Sequence, residues 1–162
     1  MTEVNKRDQM EVEIIGLNVR IHNIEELEYQ APPAQVDIKR NALAFGGALR
    51  IKTDKNLLFL QVETTYSLKN GELLSKLKVE FSFEIKQLQN IIEVVDENSI
   101  RFTIDIIPDL FRMSMDMMRG IYYEKLKNTA LKEYIIPIVD TQKMLGAINK
   151  DQKEKAQEEK EG

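Results

Sequence analysis

The sequence predicts an α+β fold in which a four-stranded antiparallel sheet packs against a long C-terminal helix. Three observations predict it. Apolar residues alternate with polar ones in several runs between Val12 and Ile85, the period of half-buried strands. A segment of helical period then opens on Pro108-Asp109. The end of the chain, NKDQKEKAQEEKEG, has no large apolar side chain and cannot bury enough surface to fix its shape. At 162 residues the chain reads as one domain over 1–148 with a charged tail over 149–162, disordered or a frayed helical extension.

The first strand is read as one long, bent element. Val12 and Ile14 alternate, the phase slips at Ile15-Gly16, and Leu17, Val19 and Ile21 resume it. It slips again near His22-Asn23 before Leu27 and Tyr29, so the expectation is a continuous strand carrying a bulge. Pro32-Pro33 ends regular pairing. Val36 and Ile38, then Leu49 and Ile51, flank Gly46-Gly47, which reads as strand, kink, strand. In LLFLQVETTYSL, Leu58, Leu60, Val62, Thr64, Tyr66 and Leu68 share a face, with Leu57 and Phe59 as apolar exceptions on the other. Asn70-Gly71 marks a tight turn, because both residues tolerate positive φ. KLKVEFSFEIK is the cleanest strand, with Leu77, Val79, Phe81, Phe83 and Ile85 facing one way.

SIRFTIDII alternates through Phe102, Ile104 and Ile106 and fits either a strand or a short helical turn. The helix that follows places Ile107, Phe111, Ser114, Met118, Ile121 and Tyr122 on one face, with Gly120 as a weak point. ALKEYIIPIVD, with Pro137 inside it, reads as an extended apolar cover, and TQKMLGAI as one more short helix.

The residue inventory excludes several functions. There are 23 Lys+Arg against 27 Asp+Glu, a net charge of −4, so the basic footprint of a nucleic-acid binder is missing. With no cysteine and one histidine, His22, a thiolate metal site, a cysteine nucleophile and a histidine-based triad lack residues to draw on. Gly46-Gly47 lacks the pattern and the following Lys of a phosphate loop. The pairs Glu11/Glu13 and Glu25/Glu26 read as solvated strand faces. The expectation is a non-enzyme with no cofactor and no metal. MTEVNKRDQM has no apolar core of a secretory signal, and no run is long and apolar enough to span a bilayer. A cytoplasmic protein that does not insert in membranes is therefore expected. Met113, Met115, Met117 and Met118 crowd one helix and cannot all face one core, so some of this soft apolar surface looks outward or toward a partner.

The order of elements resembles the SecB family of tetrameric protein-export chaperones and its divergent SecB-like relatives. FSFEIKQLQNII looks like that family's last strand. IIPDLFRMSMDMMRGIYYEKLKNTALKEYIIPIVD looks like its Pro-Leu-Phe-Pro-x-Ala-Arg helix and downstream cover. Pro108, Leu110 and Phe111 align with the start of that helix and Pro137 with a cover proline, whereas Arg112-Met113-Ser114 replaces the family's second proline and Tyr-Ala-Arg. The double glycine before the cover is absent, and the tail does not match the family's SecA-binding terminus.

The resemblance implies a SecB-like fold, a homo-oligomer (dimer or tetramer) and a passive holdase that keeps unfolded polypeptides in hydrophobic grooves. It implies a role in protein export with the SecA motor as a further partner. The alternative is a partner-specific adaptor, for example an antitoxin chaperone. The client-binding candidates are Phe45, Phe59, Phe111, Met113, Met117, Tyr122 and Tyr123. Phe59 breaks a polar strand face, Phe45 stands beside the glycine pair, and Met113 and Met117 lie one turn apart, away from Met118 and Ile121.

Overall fold

A computed structural model describes residues 12–14, 16–36, 43–97, 99–134, 136 and 140–150. Five strands, β1 (Val12–Ile14), β2 (Leu17–Gln30), β3 (Leu43–Asp54), β4 (Leu57–Leu68) and β5 (Leu73–Ile85), form one antiparallel sheet in the order β1-β2-β5-β4-β3. Four are long and β1 is a three-residue addition. A single 3₁₀ turn (Leu88–Ile91) leads into a separate hairpin, β6 (Ile92–Asp96) and β7 (Ser99–Phe102). Helix α1 (Ile107–Leu126) follows, and residues 141–150 form a further helix, α2. The α+β class and the antiparallel sheet are those expected from the period-two runs.

The alternation in β4 and β5 determines which face is covered. Leu60 pairs with Phe81, Val62 with Val79 and Thr64 with Leu77, and all six are fully buried. The opposite face carries charge: Gln61 Nε2 donates to Glu80 (2.7 Å), Lys76 pairs with Glu28 (3.0 Å) and Arg20 pairs with Glu84. Asn70-Gly71 turns the chain as expected. Gly71 takes φ +94°, and the Asn70 Oδ1 accepts from the Glu72 N–H at 2.9 Å.

Two expectations are corrected. The slip before Leu17 is a chain reversal, not a bulge: Ile14 faces Leu17 across the ladder, and Gly16 takes φ +75°. A glycine that interrupts alternation serves either purpose, and here the residues before it form β1. The bulge lies at His22, where Ile21 faces Phe83 and Asn23 already faces Ser82, and a second lies at Leu27. The kink at Gly46-Gly47 is also absent, since β3 pairs with β4 at every residue from Leu43 to Asp54. The strand reading of SIRFTIDII holds as far as Phe102. Ile38, Pro137 and residues 151–162 lie outside the described residues, and Asn149 and Lys150 belong to α2.

Helix α1 has Pro108 in its first turn, where a missing N–H costs nothing, with Asp109 beside it and Lys125 in its last turn. It buries Phe111, Met115, Met118 and Tyr122 on the sheet; Ile121 sits only half-buried at the margin. Tyr122 packs edge-on against Tyr66 with ring centroids 5.4 Å apart. Its hydroxyl donates to Ser75 Oγ (2.6 Å), which donates to the Gln30 carbonyl (2.9 Å). The Tyr66 hydroxyl donates to the Tyr134 carbonyl (2.9 Å). These bonds join α1 to β5 and β2, and β4 to the segment after α1.

Burial raises the pKa of both phenols, that of Tyr122 to about 12. The folded state therefore holds the neutral phenol beyond its ordinary pKa of 10.0. That stability is fully present below about pH 10 and is lost as pH rises toward 12. Denaturant unfolding is expected to show a midpoint that falls across this window. Tyr122→Phe is expected to cost about 1 kcal/mol below it and to flatten the fall; an unchanged slope would contradict the assignment.

Candidate functional site

The covered face of the sheet has two flanks that α1 covers only in part. On the β3 side, α2 closes the face. Asp140 begins it: the Asp140 Oδ1 accepts from the N–H groups of Gln142 (3.1 Å) and Lys143 (3.2 Å), a helix N-cap. Its apolar residues Leu145 and Ile148 are buried, and Met144 is half-buried. Gly47 accounts for the fit, because a Cβ there would lie 2.3 Å from the Met144 Cε. The glycine pair thus serves close helix packing on a regular strand.

Between β3, β7, the start of α1 and α2 lies a groove of about 560 Å³. Leu49, Ile51, Ile100, Phe102, Pro108 and Leu145 give it apolar walls, and Ser99, Asp105 and Asn149 add polar groups. Among the described residues β3 is the last strand of the sheet on this side. The groove therefore runs beside an edge strand, the backbone template to which an extended chain adds. The adjoining β6–β7 hairpin exposes Val94 (73%) and Val95 (61%).

On the β2 side the face is open at Ile21 and Ile24. Ile21 and Ile24 share the face of Phe83 and Phe81 across the ladder, yet they are 37% and 43% exposed. Leu27, at the second bulge, is also exposed. Lys125 fixes the end of α1 beside this strand, pairing with Glu26 (2.7 Å) and standing 4.6 Å over the Tyr29 ring. Burial raises the Tyr29 pKa, with Lys125 opposing that shift and Glu26 adding to it. The flank of α1 that carries Met113, Met117 and Ile121 is half-buried.

The expected client-facing residues do not form one surface. Phe111 and Tyr122 are fully buried under α1, a correction with a plain cause: their helical period places them toward the sheet. Phe45 is half-buried, its ring 5.4 Å from that of Tyr66. Phe59 lies half-buried on the opposite, charged face of the sheet. Met113 and Met117 line the flank of α1, and Tyr123 is exposed on its outer side. None of the seven lines the groove. Ile100, Phe102 and Leu145 were the residues missed, and the alternation in SIRF was the only signal for two of them.

No family model matches the chain, and no curated protein matches it. Among the described residues no group of His, Asp and Glu could hold a metal ion, and His22 is exposed at its bulge. No described helix is long and apolar enough to cross a membrane. The site offers apolar walls and the polar residues Arg50, Ser99, Asp105 and Asn149 beside strand backbone.

Substitution separates core from surface. Phe111→Ala is expected to lose about 3–5 kcal/mol of unfolding free energy. Tyr123→Ala is expected to stay within about 0.5 kcal/mol. Denaturant titration checks both, and equal losses would contradict this placement.

Proposed function

We propose that this chain is a SecB-like holdase whose groove beside β3 receives extended segments of unfolded polypeptide. The observation that carries the reading is the juxtaposition of apolar groove and edge strand. An unfolded segment exposes apolar side chains and unpaired backbone together. A strand added to β3 satisfies its backbone, and every second side chain then points toward Leu49, Ile51 and Leu145. The groove needs no nucleotide for this, so holding is passive. The SecB-like fold, the cytoplasmic location, delivery to the SecA motor and assembly into a dimer or tetramer belong to the same proposal. The open flank of Ile21, Ile24 and Leu27 supports assembly, because a second copy seated there would remove it from water. The polar groups of Ser99, Asp105 and Asn149 support the second reading, an adaptor for one dedicated partner.

Ile100→Asp tests the groove without opening the core, since Ile100 is already exposed. The expected result is unchanged melting and about a tenfold loss in suppression of aggregation of an unfolded client. Unchanged holding by a folded variant would refute the groove. Capture of many unrelated clients supports the holdase, and capture of one dominant partner supports the adaptor.

A further inference from the structure

Three apolar side chains, Met144, Leu145 and Ile148, hold α2 to the sheet, and one of them is a thioether wedged into a notch. Met144 occupies the space that Gly47 leaves, and the backbone carbonyl of Glu63 lies 3.2 Å from where a Cβ would stand. Thr64 faces Gly47 across the ladder on the same face. It is fully buried, and its hydroxyl has no hydrogen-bond partner. The seam thus combines close packing with a dry polar atom, which opposes closure because water would satisfy that hydroxyl. Met144 is only half-buried, whereas Met115 and Met118 are fully buried. The chain has no cysteine, so methionine is its oxidisable sulfur.

We propose that Met144 is an oxidation site and the latch of α2: a peroxide converts its thioether to the sulfoxide, and α2 leaves the Gly47 notch. The sulfur lone pair attacks the terminal peroxide oxygen as the O–O bond breaks. Sulfur is oxidised by two electrons, and hydrogen peroxide is reduced to water after a proton moves to the departing oxygen. The product is larger, polar and rich in lone pairs. A notch this close, with the acceptor carbonyl of Glu63 at its wall, has no room for the added oxygen. Leu145 is also a groove wall, so release of α2 reshapes the groove. That consequence rests on the holdase reading; the release itself does not.

The full chain is treated with hydrogen peroxide, sulfoxides are located by peptide mass, and amide exchange is followed over residues 144–150. Met144 is expected to oxidise about tenfold faster than Met115 and Met118, and the oxidised chain to lose about tenfold of its protection over those amides. Met144→Leu keeps an apolar side chain of similar size and resists oxidation, so its protection is expected to survive peroxide. Oxidation of Met144 as slow as that of the core methionines overturns the proposal. So does protection that is unchanged or raised, as when the sulfoxide takes the Thr64 hydroxyl as a donor, and so does equal loss in Met144→Leu. Release of α2 with no change in client holding supports the latch and counts against the groove reading.

Discussion

An α-helix is about 10 Å across and neighbouring strands lie about 4.8 Å apart, so one helix shields about two strands. The sheet here has one apolar face wider than that. Helix α1 lies over β4 and β5, where the rungs Leu60–Phe81 and Val62–Val79 are fully buried. The strands on either side are left to other means. On β3 the remainder is covered by α2, and the gap between the two helices is the groove. On β2 none of the described helices reaches Ile21 and Ile24, and they stay exposed on the core face.

The position of α1 is set at its end more than at its start. Tyr122 is tied through Ser75 to the Gln30 carbonyl, and Lys125 to Glu26 and Tyr29. These polar contacts are directional, and they anchor the last turns over β5 and β2. The first turn is held by the apolar contacts of Ile106, Ile107 and Leu110. The groove adjoins that first turn, where Pro108 forms part of its wall.

Much of the fold is legible because its signals are local. The alternation in KLKVEFSFEIK, the turn at Asn70-Gly71 and the helix opening at Pro108-Asp109 each carry their cause within a few residues. The glycines were ambiguous for a physical reason. Gly16 reverses the chain because β1 exists to pair back, and Gly47 is small because Met144 sits on it; both partners are set by tertiary structure. The site was less legible. Aromatic character alone offers Phe111 and Tyr122 to a client, but their helical phase turns both onto the sheet. Phe59 breaks its polar face and pairs with Lys52, next to the groove residue Ile51, but its side chain lies on the other side of the sheet. The groove itself draws on β3, β7, α1 and α2, segments that no single window of sequence brings together.

The proposed holding role turns on β3 as the edge that an extended chain would join. Amide exchange of the full chain with and without a saturating unfolded polypeptide tests this most directly. Protection is predicted to rise along 43–54, while β2 from 20 to 30 stays as it was. Protection gained on β2, with none on β3, would contradict it.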